Sequence, residues 1–187
     1  GGPGSPLIEV ATGGGKSRIM GSIAATLVRD MGARCLILAH RKELIRQNTQ
    51  AVLTVWPDAH VGVWSAGVGQ KTIAPITVVG VQSAWRKPAA FGHIDVAIVD
   101  EAHLISGEEN SMYGKLLAGL RHVNPDMRLI GLTATPYRLG QGLLTEGENK
   151  IFDCVIYRAG PRELVDRGVL VPLVSENTRA VALARIA

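Results

Sequence analysis

Cysteines, aromatic residues and long hydrophobic runs are all scarce in this sequence. Its 187 residues include two cysteines, Cys35 and Cys154. Each stands in an apolar stretch, so we expect two buried, reduced thiols rather than a disulfide or a metal site, as in a cytoplasmic protein. No stretch approaches the roughly 20 apolar residues of a membrane span, and the first residues lack the charged and apolar regions of a signal peptide. A membrane protein and a disulfide-stabilised secreted domain are therefore both disfavoured.

The apolar content and the charge are those of one ordinary globular domain. Hydrophobic residues make up 47% of the chain, and a chain near this length buries roughly 70% of its unfolded surface. The formal net charge of +4 permits contact with phosphate backbones but does not demand it. There are three Trp, three Tyr and two Phe, and we interpret Trp64 and Trp85 as packing residues rather than as platforms for base stacking.

Short apolar runs alternate with helical stretches from residue 7 onward. We predict strands at residues 7–11, 35–39, 60–64, 76–81, 94–100, 129–133 and 154–157, and helices between the first two strands and at about 42–55 and 111–122. The first helix has two neighbouring apolar rows, one of Ile19, Ile23, Leu27 and Met31 and the other of Met20, Ala24 and Val28. The alternation predicts an α/β fold, a mostly parallel sheet with helices on both faces.

A glycine cluster stands between the first predicted strand and the first helix, where residues 7–17 read LIEVATGGGKS. Glycines let backbone N–H groups wrap a polyphosphate, and the helix N-terminus adds donors and partial positive charge. In this interpretation Lys16 reaches the β and γ phosphates and the Ser17 hydroxyl binds Mg²⁺. The strict pattern has glycine where this chain has Val10, so a glycine-rich turn with an ordinary surface lysine is the alternative. The candidate nucleotide-binding residues are Thr12, Gly13, Gly14, Gly15, Lys16 and Ser17.

Two adjacent carboxylates, Asp100 and Glu101, end the apolar run 94–100. Open α/β sheets bind ligands at the carboxyl ends of their strands. An aspartate in this position holds Mg²⁺ in P-loop enzymes, a role that fits Asp100, and Glu101 can orient and deprotonate the attacking water. The alternative is a helix N-cap with a solvated partner. The candidate catalytic residues are therefore Lys16, Asp100 and Glu101, while His103 has either a coupling role or a structural hydrogen bond.

Five segments, in this order, resemble the motifs of superfamily 2 helicases in the DEAH-lettered branch. ATGGGKS (11–17) resembles motif I, LAHRKELIRQ (38–47) motif Ia, VGVQS (79–83) motif Ib, DEAH (100–103) motif II and LTATPYR (132–138) motif III. The wording is most similar to RadD-like repair helicases and to the motor subunits of type I restriction enzymes. The resemblance implies a RecA-like P-loop NTPase fold and an ATP-dependent helicase or translocase that uses ATP and Mg²⁺.

The resemblance also implies roles for residues outside the nucleotide motifs. Thr133 and Thr135 would couple the phosphate site to the nucleic-acid site, with a buried Thr pair closing a strand as the alternative. Arg41, Gln82 and Ser83 would contact a single-strand backbone, although Arg41 is equally well explained as a solvated helix charge. Such a motor grips phosphates, so we expect salt-dependent binding that is nearly indifferent to base identity. DNA is favoured over RNA as the partner.

Two features of the family are absent from this sequence: a glutamine-bearing segment before motif I and a second RecA-like lobe with an arginine finger. We predict flexible chain or an expression remnant at 1–6, a RecA-like ATP-binding lobe at 7–160, and at 161–187 an exit segment leading to the absent lobe. The stretch 140–150 is predicted to be a mobile loop. The alternative function is a catalytically idle fragment that binds nucleic acid or protein. A P-loop kinase or GTPase is disfavoured, because neither predicts the segments 40–41 and 133–135.

Overall fold

The computed structural model describes residues 4–106, 108–138, 142–147 and 150–172 of the chain. The strands are β1 (Pro6–Val10), β2 (Cys35–Ala39), β3 (Val61–Ser65), β4 (Gln70–Lys71), β5 (Ile76–Gly80), β6 (Val96–Asp100), β7 (Arg128–Thr133), β8 (Tyr137–Arg138), β9 (Gly142–Leu143) and β10 (Cys154–Ala159). The helices are α1 (Lys16–Met31), α2 (Lys42–Val55), α3 (Val81–Ala84), α4 (Met112–Val123) and α5 (Pro161–Asp166), with short 3₁₀ turns at Pro88–Phe91 and Ala102–Leu104.

Eight strands form one sheet in the order β10-β1-β7-β6-β2-β5-β3-β4. All neighbouring pairs are parallel except β3 and β4. Alternate residues of a strand point to opposite faces, so Leu36 and Leu38 of β2 enter one core cluster while Cys35 and Ile37 enter the other. Helices α1, α2 and α5 contribute to the second cluster, and α3 and α4 to the first. The predicted α/β fold with helices on both faces is confirmed.

The element boundaries agree closely with the sequence pattern. β2 and α2 begin and end where they are predicted, and the other six predicted strands differ by one or two residues at one or both ends. The three short strands β4, β8 and β9 are not predicted, since two-residue pairs leave no periodicity to detect. The pair β8–β9 lies partly within the predicted loop 140–150; residues 140, 141, 148 and 149 are outside the described residues. Helix α5 lies within the stretch 161–187, of which residues 173–187 are outside the described part.

The two apolar rows of α1 differ in how deeply they are buried. The fully buried residues of the helix are Met20, Gly21, Ala24 and Ala25, whereas Ile19, Ile23 and Leu27 of the first row are partly buried against the second core cluster and Met31 is 72% exposed. A Cβ added to Gly21 would lie 2.8 Å from the Ala51 carbonyl oxygen on α2. The two helix backbones therefore approach so closely that small residues, not large ones, occupy the contact.

The two cysteines differ in exposure, which contradicts the expectation of two buried thiols. Cys35 is fully buried in β2, but Cys154 is exposed and neither forms a disulfide. The reason is the position of β10 at the edge of the sheet, where most of its side chains are exposed. No helix among the described residues is both long and apolar enough to cross a membrane.

Candidate functional site

The glycine cluster forms the turn between β1 and α1. Gly13 and Gly15 have φ of 81° and 87°, a left-handed conformation that costs little only for glycine. A Cβ on Gly14 would lie 2.5 Å from Leu164 and 2.7 Å from Val10, so a side chain has no room there. Gly15 precedes the first turn of α1 and has no side chain to cap it, which leaves the N-terminus of the helix open to an anion.

Lys16 extends from the first residue of α1 toward the acidic end of β6. Its Nζ donates to the Val10 carbonyl oxygen at 3.4 Å and lies 3.9 Å from Glu101 Oε1. The Lys16 side chain is 12% exposed and that of Glu101 27%. β7 separates β1 from β6 in the sheet, so the fold brings the lysine and the acids together across one intervening strand.

Asp100 is the last residue of β6 and is 4% exposed. Its Oδ2 accepts a hydrogen bond from Asn48 Nδ2 at 2.9 Å, and its Oδ1 accepts one from the Glu101 backbone N–H at 3.0 Å. Glu101 has φ 53° and ψ 54°, and among the described residues it is the one non-glycine residue with positive φ. This conformation costs about 1–3 kcal/mol, and such strain is typical of functional sites.

These elements line one cavity of about 640 Å³, within the range of small-molecule sites. It is lined by Thr12, Gly13, Gly15, Lys16, Ser17, Arg18, Leu44, Gln47, Gln50, Ala51, Thr54, Asp100 and Glu101. Of the predicted nucleotide-binding residues, Gly14 does not line this cavity, because it packs beneath the turn. The oxygen donors of Ser17 and Asp100 are of the kind that Mg²⁺ prefers, and Mg²⁺ takes one or two protein ligands together with substrate phosphates. The donor set therefore fits magnesium with a nucleotide.

Motif II and motif III segments are joined by hydrogen bonds. Thr133 Oγ1 donates to the Thr135 carbonyl oxygen at 2.8 Å and accepts from the Thr135 backbone N–H at 3.1 Å. His103 Nδ1 lies 3.0 Å from the same hydroxyl oxygen, and 3.5 Å from Glu101 Oε2. With the Thr133 hydroxyl donating to Thr135, the matching tautomer of His103 is the one with its proton on Nδ1. The contacts run from Glu101 through His103 to Thr135.

A second cavity of about 560 Å³ adjoins the first and shares Thr12, Leu44 and Glu101 with it. Its other lining residues are His40, Arg41, Glu43, His103, Leu104, Ala134 and Thr135. Arg41 is exposed, and its Nε donates to His40 Nε2 at 3.2 Å. Burial and then the Arg41 charge lower the pKa of His40 below its ordinary value. The exposed Arg41 thus lies at a cavity that is continuous with the first one.

Comparisons with known proteins agree with this geometry. Residues 3–138 match the family described as type III restriction enzyme, res subunit. The chain belongs to this family. Over 173 residues it is 27% identical to a Saccharomyces cerevisiae protein named as the ATP-dependent helicase IRC3, and the match covers 85% of this chain and 24% of that protein. This chain therefore spans about a quarter of that relative's length.

Solved helicase structures have the same fold. The Hef helicase domain of Pyrococcus furiosus matches with a TM-score of 0.64 and 22% identity, over 83% of this chain and 35% of that one. A nuclease-deletion mutant of the type ISP restriction-modification enzyme LlaGI, solved with a DNA substrate mimic, matches with a TM-score of 0.56 and 18% identity, over 98% of this chain and 20% of that one. The predicted recognition is confirmed: the family match, the similarity to IRC3 and the fold shared with solved helicase structures all support the first RecA-like lobe of a superfamily 2 helicase.

The motif Ib residues of this helicase lobe lie beside Arg41 on the same edge of the sheet. Gln82 and Ser83 follow β5, which neighbours β2, and Gln82 is exposed. Ser83 has a structural contact, since its Oγ accepts from the Ala66 backbone N–H at 2.9 Å. Trp64 donates from Nε1 to the Ser83 carbonyl oxygen and packs edge-on against a phenylalanine ring. The interpretation of Trp64 as a packing residue is confirmed.

Two residues with direct contacts to the site were not predicted from the sequence of the lobe. Gln47 Nε2 donates to Ser17 Oγ at 2.8 Å, and Asn48 donates to Asp100. The signal for Asn48 is its position, because the buried stripe of α2 consists of Ile45, Asn48 and Val52. A polar residue in an apolar stripe needs a buried partner. Gln47 lies on the exposed side of the helix, and nothing in the periodicity distinguishes it.

Proposed function

We propose that this lobe binds Mg-ATP and a single-strand nucleic-acid backbone, as the N-terminal motor lobe of an ATP-dependent helicase or translocase. The observation that carries the proposal is the meeting of Lys16 with Asp100 and Glu101 at one cavity, across an intervening strand. The pattern of a phosphate-binding turn and an acidic strand end is shared by P-loop enzymes of several classes. The membership of the helicase family favours the motor among them.

The nucleotide end of the cavity has a role for each of its polar groups. The turn at Thr12, Gly13 and Gly15 and the N-terminus of α1 would face the phosphates, with the Lys16 ammonium on the β and γ groups. Ser17 Oγ and the Asp100 carboxylate would hold Mg²⁺, which neutralises charge on the transferred phosphate when bound. Asp100 is only 4% exposed and ends a central strand, so its carboxylate is fixed in position before any ligand binds.

Glu101 is the residue suited to accept a proton from the attacking water. Its backbone has a left-handed conformation directly after β6, and its carboxylate lies within 4 Å of both Lys16 and His103. The Lys16 ammonium and the His103 ring on either side of this carboxylate hold it in one orientation, as a general base requires. His103, Thr133 and Thr135 would report the state of this carboxylate to the motif III loop.

The nucleic-acid track would run along the carboxyl edge of the sheet. Arg41 presents an exposed guanidinium after β2, and Gln82 and Ser83 follow the neighbouring strand. Phosphate contacts of this kind give salt-dependent binding without base readout. DNA is the favoured substrate because the matched family and one similar structure carry restriction-enzyme names, the latter with a DNA substrate mimic.

The complete motor cycle belongs to a longer protein with a second lobe. This chain spans 24% of IRC3 and 35% of the Hef helicase domain. The resemblance places the arginine finger on the second lobe, and such a residue is worth about 10³–10⁵ in turnover. We therefore expect the isolated lobe to bind nucleotide but to hydrolyse it very slowly.

Two substitutions test the assigned roles. Lys16→Ala removes the phosphate contact and is expected to weaken Mg-nucleotide binding at least tenfold, measured with a fluorescent ATP analogue. Glu101→Gln keeps the shape of the side chain and is expected to retain binding within about threefold but to lower ATP turnover at least 100-fold in a two-lobe version of the protein. Lys71→Ala, an exposed lysine on β4, is the matched control and is expected to change neither.

The same assays separate the motor from the idle fragment. Single-stranded DNA is expected to stimulate ATP turnover of the two-lobe protein, and the stimulation is expected to fall with increasing salt. A turnover rate unchanged by DNA would contradict the motor and favour a binding module. An equal loss of nucleotide binding in Lys16→Ala and Glu101→Gln would contradict the separate roles of these residues.

A further inference from the structure

Helix α2 presents two adjacent amide side chains to the two groups proposed to hold Mg²⁺. Gln47 Nε2 donates to Ser17 Oγ at 2.8 Å, and Asn48 Nδ2 donates to Asp100 Oδ2 at 2.9 Å. Consecutive residues on an α-helix point about 100° apart. The two amides therefore diverge, and one helix contacts groups on two different elements, the start of α1 and the end of β6.

Asn48 has the characteristics of a side chain held for one contact. It is 0% exposed, and within the described residues its Oδ1 has no hydrogen-bond partner. An unpartnered buried oxygen costs about 1–3 kcal/mol, whereas an apolar residue of similar volume in the stripe of Ile45 and Val52 would avoid that cost. The hydrogen bond to Asp100 accounts for an amide at this position.

The contacts leave both metal-binding groups able to accept a cation. Asp100 receives one hydrogen bond on each oxygen, from Asn48 and from the Glu101 backbone, and a carboxylate has about four lone-pair sites. Ser17 Oγ accepts one bond from Gln47 and keeps its second lone pair. Both amides act only as donors here, so they fix the direction of the ligand oxygens without competing for the metal.

The position of α2 is itself set by close packing. The α1 backbone approaches α2 at Gly21 so closely that a Cβ there would lie 2.8 Å from the Ala51 carbonyl oxygen. Ala51 lies one turn beyond Gln47 on the same helix, and its C-terminal neighbour Val52 is fully buried. The amides are therefore held by a rigid element rather than by a surface loop.

We propose that Gln47 and Asn48 are positioning residues for Mg²⁺, which orient Ser17 and Asp100 from a single helix. The inference rests on the proposed function of the cavity as a Mg-ATP site. Removing a group that orients a metal ligand typically lowers metal affinity 10–100-fold. A role confined to helix packing would change stability but would leave the Mg²⁺ dependence of nucleotide binding unaltered.

The test is a Mg²⁺ titration of fluorescent ATP-analogue binding, with a parallel measurement in EDTA and thermal unfolding of each variant. Gln47→Ala is expected to raise the Mg²⁺ concentration for half-maximal binding 10–100-fold, with affinity in EDTA and the unfolding temperature nearly unchanged, because the side chain is exposed. Asn48→Leu is expected to have the same effect. Arg46→Ala, an exposed residue of α2 that lines neither cavity, is the matched control and is expected to behave as the wild type.

The outcomes distinguish this inference from the function on which it rests. Mg²⁺ dependence like that of the wild type in Gln47→Ala overturns the inference, even if Asn48→Leu fails to fold, while leaving the Mg-ATP site intact. A wild-type protein whose nucleotide binding does not depend on Mg²⁺ refutes the proposed function, and the inference with it. A shift in Gln47→Ala that equals the shift in Arg46→Ala also overturns the inference, since the loss would then be unrelated to Ser17.

Discussion

Replacing Gly21 with alanine tests the close contact between α1 and α2. Helix propensity alone predicts that Gly→Ala in a helix interior stabilises the fold by about 1 kcal/mol. The structure predicts the opposite sign. The new Cβ would lie 2.8 Å from the Ala51 carbonyl oxygen, 2.9 Å from its carbonyl carbon and 3.2 Å from the Val52 nitrogen. These are backbone atoms, so no rotation of a side chain relieves the contact and α2 itself has to move.

The expected magnitude follows from two opposing terms. Overpacking that shifts the backbone costs typically 1–3 kcal/mol, and a clash with three atoms of one backbone peptide lies in the upper half of that range. Subtracting the gain of about 1 kcal/mol from propensity leaves a net destabilisation of about 1–2 kcal/mol. For a chain of this size each kcal/mol lowers the melting temperature by about 2–4 °C, so Gly21→Ala is expected to lower it by about 2–8 °C.

The assay is thermal unfolding followed by circular dichroism, with Ser22→Ala as the control. Ser22 is the neighbouring, exposed residue of the same helix, and its replacement is expected to leave the melting temperature unchanged or slightly higher. Because α2 carries Gln47, the displacement of α2 in Gly21→Ala is also expected to weaken Mg²⁺-dependent nucleotide binding. A Gly21→Ala protein that melts at a higher temperature than the wild type would refute the reasoning, since α1 and α2 could not then pack at this distance.

Two further predictions concern the thiols and the pH dependence of stability. Burial raises the pKa of Cys35 to about 12, whereas Cys154 is exposed. A disulfide reagent at pH 8 is therefore expected to modify one thiol per folded chain quickly. Cys154→Ser is expected to abolish this fast reaction. Two thiols reacting at one rate would contradict this. Burial and the Arg41 charge lower the pKa of His40 from 6.5, so protonation of His40 favours the unfolded chain. The contribution of neutral His40 to the stability of the fold is present above pH 6.5 and is lost as the pH falls through the lowered pKa. The melting temperature of the wild type is expected to fall more between pH 7 and pH 5 than that of His40→Gln, and parallel curves would show that His40 has no such effect.

The sheet shows how far local patterns reach and where they stop. Consecutive apolar residues in 35–39 predict a buried parallel strand, because a strand covered on both faces favours apolar side chains at successive positions. The same reasoning was wrong for Cys154, since its strand is a sheet edge. The order of strands in a sheet depends on contacts between distant segments, and an edge strand and an inner strand have similar local sequences.

In the candidate site too, the sequence indicates the type of residue needed, and the tertiary structure determines which residues meet. Glycines before Lys16 and acids after an apolar strand indicate their chemistry locally, because a phosphate turn needs residues without Cβ atoms and a metal needs oxygen ligands. The functional roles of these residues remain predictions, but their common location does not depend on the roles: Lys16 and Glu101 lie 3.9 Å apart.

The sequence by itself determined the α/β fold, most element boundaries and the helicase family, because strand and helix periodicity and short motifs are properties of neighbouring residues. Only the tertiary structure decided which row of α1 is more deeply buried, that Cys154 is exposed, and that Gln47 and Asn48 reach Ser17 and Asp100. Each of these depends on how two elements distant in the chain approach one another. The apolar face of a helix shows in its sequence that it packs against another element, but the distance between the two elements does not.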